Sequence, residues 1–264
     1  MPTVAEICER IREFAPPALA EHWDNTGLIL GRGGVEVERL MTCLTLTEAV
    51  AREAVDRGVR LIVTHHPLLF RSVKFVNDST AEGRIVLTLL EHGISVYSPH
   101  TSFDSAAQGI NQLLAECLGL VQIVPLRPFA GDACLGAGRA GVLPAGLELG
   151  EFLARVKAVT RAGWLEYSAA GPAEVRRVGI GCGAGGGFLA DAVRAGCDTF
   201  LTGESRFHGV LEAESAGVNL VMAGHYSSER LGIEWLAERL GEWFPALRVS
   251  FPSQTEQNPL KLWV

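Results

Sequence analysis

The sequence lacks the features that mark membrane-spanning, exported and nucleic-acid-binding proteins. No apolar run approaches the roughly 18–20 residues that a membrane span requires. Basic residues are adjacent only at Arg176-Arg177 and the formal net charge is −7, so a platform for nucleic acid is not expected. Segment 1–14 contains several acids and predicts an amphipathic helix rather than a signal peptide. We therefore expect a cytoplasmic protein.

Cysteine patterns are also scarce. The six cysteines form no Cys-x-x-Cys pair, and most of them stand in apolar segments. This distribution is typical of buried free thiols in a reducing compartment. It gives little support to a thiolate nucleophile or a thiolate zinc site.

The sequence does contain a regular alternation of strand-like and helix-like segments. Its 264 residues suffice for one large or two small domains. Apolar segments such as RLIVT (60–64) alternate with helical ones such as TEAVAREAVDRG (47–58), where Thr47 suits the N-cap and Gly58 the end. This pattern predicts an α/β fold with a largely parallel sheet covered by helices.

The order of segments repeats along the chain. AVDRGVRLIVTHH (54–66) aligns with AVRAGCDTFLTGE (192–204), and GISVYSPHTSFD (93–104) resembles GVNLVMAGHYSSE (217–229) with one inserted residue. The repetition indicates two similar α/β lobes that form a pseudo-repeat. Chance similarity between two βαβ units is the alternative, because the identities are few.

The lobe bounds follow from this repeat. We predict an N-terminal lobe over 1–124 and a C-terminal lobe over 147–264. The stretch 125–146 is rich in glycine and proline and is predicted to be the crossover between them.

Two adjacent histidines, His65 and His66, end one of the predicted strands. Neighbouring side chains on an extended strand point to opposite faces, so the pair suits two ions better than one. Pro67 ends the strand and exposes both rings at the carboxyl edge, where α/β sheets bind ligands. The alternative is a pair of core or capping histidines.

A histidine followed four residues later by an acid occurs after two further strands. These pairs are His100 with Asp104 and His225 with Glu229. A third pair begins at His208 but falls inside a predicted helix over 206–216, where a solvated face is the simpler interpretation. Imidazole and carboxylate ligands together suit zinc, iron, manganese, cobalt or nickel. Such a site permits metal-assisted hydrolysis.

Three other features adjoin these motifs. The run GIGCGAGGG (179–187) forms either a tight strand-to-helix turn or an anion contact through backbone N–H groups. In the second lobe Glu204 occupies the place that His66 has in the first. It is interpreted as a carboxylate that supports a metal ligand, as a proton shuttle, or as a surface acid. Asp24 and Asn25 are interpreted mainly as local caps.

In chain order these motifs resemble those of a known family. They are Trp-Asp-Asn-Thr-Gly-Leu (23–28), His-His-Pro-Leu-Leu-Phe (65–70), His-Thr-Ser-Phe-Asp (100–104), Gly-Cys-Gly-Ala-Gly (181–185), Thr-Gly-Glu with His208 (202–208) and Gly-His-Tyr-Ser-Ser-Glu-Arg (224–230). The set resembles the Nif-three-like dinuclear-metal-centre family, whose members are often named GTP cyclohydrolase 1 type 2 homologues. Ser102-Phe103 departs from the commoner Asn-Leu before the aspartate.

The resemblance implies a ligand set for two divalent metal ions. Glu229 would bridge the ions, His66 and Asp104 would serve one ion, and His65 and His225 the other. His100 would be a further ligand or lie just behind the ligands. Proton transfer would fall to Glu204, His100 or His208.

The resemblance also implies an assembly and an activity. The metals would lie in the cleft between two lobes, and the chain would form a ring-shaped homohexamer without the extra domain of longer members. The implied function is a metal-dependent hydrolase acting on a small molecule. The alternatives are a metal-handling protein such as an iron carrier, a metal-dependent regulatory binding protein, and a hexameric scaffold.

Overall fold

The computed structural model describes residues 1–130, 132–261 and 263. Gly131, within the expected crossover, and Leu262 and Val264, at the end of the expected C-terminal lobe, lie outside the described residues. None of the helices in the described part of the chain is both long and apolar enough to cross a membrane.

Helices and strands alternate through most of the chain. The α-helices are α1 (Val4–Phe14), α2 (Glu48–Asp56), α3 (Ala81–Glu91), α4 (His100–Ser105), α5 (Ile110–Cys117), α6 (Leu149–Thr160), α7 (Leu189–Arg194), α8 (Phe207–Ala216) and α9 (His225–Trp243). The strands are β1 (Gly27–Leu30), β2 (Arg39–Cys43), β3 (Leu61–Thr64), β4 (Ser95–Ser98), β5 (Val121–Val124), β6 (Arg127–Phe129), β7 (Asp132–Ala137), β8 (Arg139–Glu148), β9 (Glu166–Ser168), β10 (Glu174–Gly181), β11 (Thr199–Thr202), β12 (Asn219–Met222) and β13 (Val249–Pro252). Short 3₁₀ helices span Pro17–Leu19 and Gly185–Phe188.

The chain forms two compact units. Unit 1 comprises Met1–Phe103 and Ile233–Gln257, and unit 2 comprises Asp104–Gly232 with the short segment that begins at Asn258. Two of the three unit boundaries fall inside α4 and α9, and the third follows Gln257. The stretch predicted as a crossover contains β6, β7 and most of β8. The lobe bounds inferred from the repeat stay a prediction.

Unit 1 is built on a five-stranded sheet in the order β1-β4-β3-β2-β13. The four strands from β4 to β13 run parallel, and β1 pairs antiparallel with β4. All four residues of β3 are buried, as expected for a parallel strand covered on both faces. Thr47 caps α2 by accepting a hydrogen bond from the Val50 N–H, as its sequence position predicted.

Unit 2 is built on a six-stranded sheet in the order β5-β8-β10-β11-β12-β9. The middle strands β10, β11 and β12 are parallel, whereas β8 and β9 pair antiparallel with β10 and β12. A separate antiparallel hairpin joins β6 and β7. The α/β fold class predicted from the sequence is therefore confirmed. The expectation of a largely parallel sheet is wrong for unit 2, where three of the five strand pairings are antiparallel.

Equivalent strands of the sequence repeat occupy equivalent places in the two sheets. The parallel strands number four in unit 1 and three in unit 2, and in each sheet an antiparallel strand follows the last of them, β1 beyond β4 and β9 beyond β12. Thr64 and Thr202, which the repeat aligns, are the last residues of β3 and β11, and both are fully buried. The helical pattern from His100 to Gly119 predicts one helix, but the structure has two, because α4 ends at Ser105 and α5 begins at Ile110.

Candidate metal centre

Unit 1 brings together three histidines that were predicted to lie at the metal site. His65 and His66 follow the last residue of β3, and His100 follows β4. One ring nitrogen from each of the three lies within 4.8 Å of the other two. The side chain of His65 is fully buried, whereas His66 and His100 are half-buried.

The geometry corrects one expectation about the adjacent histidines. On a regular strand His65 and His66 would point to opposite faces, but the chain bends after Thr64 and their ring centroids lie 5.2 Å apart. Their backbone N–H groups donate to the carbonyls of Cys43 and Leu44, both at 2.9 Å. Both rings can therefore turn toward the same point, because strand alternation no longer applies.

His100 is supported by a buried carboxylate. Its Nδ1 lies 2.7 Å from Oδ1 of Asp24, whose side chain is fully buried while that of His100 is 15% exposed. Asp24 also accepts hydrogen bonds from the Thr101 N–H at 3.1 Å and from the Thr101 hydroxyl. Burial raises the pKa of Asp24, but the hydrogen bonds with His100 and Thr101 outweigh it and lower the pKa to about 2.

Three other side chains lie next to these histidines. The Thr45 hydroxyl lies 2.7 Å from Nδ1 of His66. Trp23 and Phe70, each about half exposed, meet the ring of His100 edge-on at centroid distances of 6.2 and 6.1 Å. His100 therefore lies beneath two exposed aromatic rings, next to the other two imidazoles.

Unit 2 places His225 and Glu229 on one face of the first turn of α9. Nε2 of His225 lies 3.1 Å from Oε2 of Glu229, as the four-residue spacing on a helix predicts. Nδ1 of the same ring lies 3.1 Å from Oε1 of Glu204, whose side chain is 59% exposed. The hydrogen bond to Glu229 is the largest cause that raises the pKa of His225 to about 9, burial opposes it, and Glu204 adds to it.

The glycine-rich run packs directly against this pair. Gly183 has a φ of +58°, and a Cβ at this position would overlap Oε1 of Glu229 and lie 3.1 Å from Nε2 of His225. The N–H of Cys182 donates to Asn111 at 2.9 Å, and that of Gly183 donates to Ser228 at 3.0 Å. Because protein atoms engage both donors, the run is a tight turn at these residues rather than an anion cradle.

The side chain of Asn111, which accepts the hydrogen bond from Cys182, also contacts Asp104. Nδ2 of Asn111 donates to the Asp104 carbonyl at 3.1 Å, so one buried amide joins α4 to the glycine-rich run.

Burial, with smaller contributions from the charges of Glu229 and Asp104, raises the pKa of Cys182 well above its usual value. That thiol is therefore protonated at neutral pH, in accord with the cysteine pattern of the sequence.

His208 stands apart from these clusters. It is exposed on α8, where its ring meets that of Phe207 at 6.0 Å. Among the residues that the structure describes, no group of three or more closely spaced metal-binding atoms includes His208 or Asp104. The catalytic role suggested for His208 stays a prediction, as does the ligand role of Asp104.

Sequence reasoning missed several supporting residues. Asp24 accepts a hydrogen bond from the N–H of Asn25 at 2.7 Å, as a local cap would, but its contacts with α4 span most of the unit's sequence. Its place in the Trp-Asp-Asn motif was the available signal. Thr45 and Asn111 carry no comparable signal, since their roles arise from pairings distant in sequence.

The donor atoms fit divalent transition metals. Unit 1 offers three imidazoles and unit 2 offers an imidazole beside a carboxylate. Imidazole nitrogen and carboxylate oxygen are ligands of zinc, iron, manganese, cobalt and nickel in proteins. A carboxylate behind Nδ1 of a histidine, as Asp24 is behind His100 and Glu204 behind His225, is the usual support of a ligating imidazole.

The chain is similar to proteins of one family over nearly all of its length. The family profile described as Duf34/NIF3 (NGG1p interacting factor 3) matches residues 2–259. A Clostridium perfringens protein named GTP cyclohydrolase 1 type 2 homolog is 32% identical over 224 residues, which cover 85% of this chain and 86% of the relative. A Streptomyces coelicolor protein of the same name is 34% identical over 247 residues, covering 92% and 87%.

A solved structure supports the same assignment. The crystal structure of a Staphylococcus aureus protein matches with a TM-score of 0.89 and 25% identity, and the match covers 99% of each chain. The resemblance inferred from the motifs is thereby confirmed. This chain belongs to the Duf34/NIF3 family.

Proposed function

We propose that this protein binds two divalent metal ions and uses them to hydrolyse a small molecule. The observation that carries the proposal is the position of the predicted ligands. His65 and His66 follow β3, and His225 follows β12, so they lie at the carboxyl ends of parallel strands, where α/β sheets bind ligands. The names of the relatives add a hydrolytic reaction on GTP as one candidate.

The ligand assignment follows the family resemblance. His66, Asp104 and Glu229 would hold one ion, and His65, His225 and Glu229 would hold the other. Three imidazoles and two carboxylates would leave coordination positions on two such ions for a substrate. When bound, two such ions supply Lewis-acid polarisation of a phosphoryl or carbonyl oxygen.

The remaining roles belong to residues of the chain itself. Glu204 holds Nδ1 of His225 and, being exposed, can exchange protons with solvent. Asp24 holds Nδ1 of His100, which keeps that ring in one orientation. Trp23 and Phe70 shield one side of His100 from water. Glu204 and His100 are therefore the first candidates for moving a proton, and exposed His208 is the third.

Elemental analysis of the purified protein tests the metal-binding step. We expect about two ions per chain in the wild type and fewer in His65→Ala and in Glu229→Ala. His92→Ala is the matched control, because His92 is an exposed histidine at the end of α3. Unchanged metal content in both ligand variants would overturn the proposal.

Turnover assays test the hydrolytic step separately. The metal-loaded protein is assayed with GTP, other nucleotides and phosphodiesters, and Glu229→Ala should lose most of any rate found. A protein that binds two ions but hydrolyses none of these substrates, and passes its metal readily to a chelating acceptor, would instead be a metal carrier.

A further inference from the structure

The segment after β13 packs against the segment after β2. β13 pairs parallel with β2, with Pro252 opposite Thr42, so both strands end at the same edge of the unit 1 sheet. The N–H of Ser253 donates to the Thr42 carbonyl at 2.7 Å and continues this pairing. The chain over 253–256, here called the C-terminal segment, therefore lies beside the residues that link β2 to α2.

A carboxylate of the C-terminal segment holds the backbone between β2 and α2. Glu256 is buried; its Oε2 accepts a hydrogen bond from the Leu44 N–H at 2.9 Å, and its Oε1 accepts one from the Thr45 N–H at 2.5 Å. Hydrogen bonds from N–H groups to a carboxylate are about twice as strong as those between neutral groups. Glu256 therefore fixes Leu44 and Thr45 across separations of 212 and 211 residues.

Leu44 and Thr45 in turn hold His66 at two points. The Leu44 carbonyl accepts a hydrogen bond from the His66 N–H at 2.9 Å, and the Thr45 hydroxyl lies 2.7 Å from Nδ1 of the His66 ring. A neutral imidazole with its proton on Nδ1 has its lone pair on Nε2, and the group that Nδ1 contacts selects this tautomer. The Thr45 oxygen can accept the Nδ1–H, which leaves Nε2 of His66 for a metal ion.

We propose that Glu256 and Thr45 are positioning residues for His66: Glu256 fixes Thr45, and Thr45 fixes the orientation and the Nδ1–H tautomer of the His66 ring. This inference rests on the proposed metal-binding function and gives the C-terminal segment a part in it. Metal affinity then depends on a line of contacts that runs from the segment after β13, through Thr45, to His66.

Glu53 provides a matched control for Glu256. Its buried carboxylate accepts hydrogen bonds from the Ser253 hydroxyl and from the N–H groups of Gln254 and Thr255. Both glutamates thus hold the same segment, but Glu53 holds it to α2, whereas Glu256 holds it to the residues before α2. A merely structural role predicts the same result for Glu53→Gln and Glu256→Gln. A positioning role predicts that only Glu256→Gln alters the metal site.

The tautomer of His66 in the metal-free protein is the direct test. At a pH where the ring is neutral, ¹⁵N NMR should show the His66 proton on Nδ1, with the signals assigned by their absence in His66→Ala. Thr45→Val, which replaces a hydroxyl by a methyl group at an exposed residue, should shift the ring toward the Nε2–H tautomer. Thr45→Ser, which keeps the hydroxyl, should retain the Nδ1–H tautomer.

Calorimetric titration of the full chain with Zn²⁺ tests the effect on metal affinity. Thr45→Val and Glu256→Gln should each weaken the binding of the ion that His66 ligates by roughly 10- to 100-fold. The double variant should bind no more weakly than the weaker single variant, because both substitutions break the same line of contacts. Glu53→Gln should leave the affinity unchanged, although it lowers the unfolding free energy as Glu256→Gln does.

Three results would overturn the inference. They are an unchanged His66 tautomer in Thr45→Val, equal losses of affinity in Glu53→Gln and Glu256→Gln, and fully additive losses in the double variant. If Glu256→Gln does not fold, Glu256→Asp, which keeps a carboxylate but shortens its reach, takes its place and should shift the tautomer in the same direction. A wild type that binds no Zn²⁺ would refute the proposed function, while the tautomer in the metal-free protein would still decide the positioning roles.

Discussion

Both units support a histidine through a carboxylate on Nδ1, but they do so in different surroundings. In unit 1 the supporting Asp24 is fully buried, lies 2.7 Å from His100 and binds Thr101 as well. In unit 2 the supporting Glu204 is 59% exposed and lies 3.1 Å from His225. Water screens an exposed pair and leaves a buried one strong. The difference indicates a rigid imidazole in unit 1 and an adjustable one in unit 2.

A second buried carboxylate of unit 1, that of Glu53, bears on stability in acid. Glu53 in unit 1 is buried and accepts hydrogen bonds from Ser253, Gln254 and Thr255; burial raises its pKa, and these bonds outweigh burial and lower the pKa to about 2. Because the folded pKa is depressed below 4.5, the stabilisation is complete above about pH 4.5 and is lost as pH falls toward 2. Its size is about 3 kcal/mol.

Glu53→Gln should therefore flatten the acid limb of the unfolding free energy, measured by urea titration between pH 3 and pH 6. Glu48, an exposed acid of the same helix, is the control for a loss of charge. An unchanged acid limb in Glu53→Gln would show that this buried carboxylate does not set the acid sensitivity of unit 1.

Removing the supporting charge should lower the unfolding free energy more in unit 1 than in unit 2. We expect Asp24→Asn to lower the unfolding free energy of the metal-free protein by about 2 kcal/mol, because charged hydrogen bonds with His100 and Thr101 are lost from a buried site. Glu204→Gln should change it by less than about 0.5 kcal/mol. Chemical denaturation measures both. Equal effects would contradict the difference drawn from burial.

Gly183 provides a sharper test within unit 2. In Gly183→Ala the new Cβ is strained by the positive φ and also overlaps Glu229. In Gly224→Ala the Cβ has open space, so only the positive φ of +85° strains it. We expect about 1–2 kcal/mol of destabilisation for Gly224→Ala and about 1 kcal/mol more for Gly183→Ala. Metal content should fall only in Gly183→Ala. Identical behaviour would mean that Glu229 moves aside without cost.

The smallest effect concerns the proton affinity of His225. Its pKa of about 9 lies above the usual 6.5, so the interaction stabilises the metal-free protein below about pH 6.5 and is lost as pH rises through 9. NMR titration should show a larger fall in this pKa for Glu229→Gln than for Glu204→Gln, because Glu229 is the largest cause of the shift. The reverse order would make Glu204 the dominant partner.

Much of the fold could be predicted from local patterns. Thr47 and the periodic apolar residues after it predict α2, and the buried run over 61–64 predicts β3, because capping and burial act within a few residues. The break between α4 and α5 was not predictable in the same way, because no proline marks residues 106–109. Tertiary contacts such as that of Asn111 with the Asp104 carbonyl accompany the break.

The candidate ligands were likewise predictable only in part. Their identities and their places after strands could be inferred from the sequence, since parallel strands end at one edge of a sheet. The convergence of His65 with His66 could not, because it depends on a bend after Thr64 that strand periodicity does not predict.

The sequence alone determined the family, the α/β alternation and the types of metal-binding side chain, because these depend on local periodicity and motif spacing. Only the tertiary structure decided which groups orient those side chains. Asp24 meets His100, and Ser228 meets Gly183, across separations of 76 and 45 residues. Hydrogen bonds of that range exist only once the chain has packed, because their geometry depends on the sheet that brings the loops together.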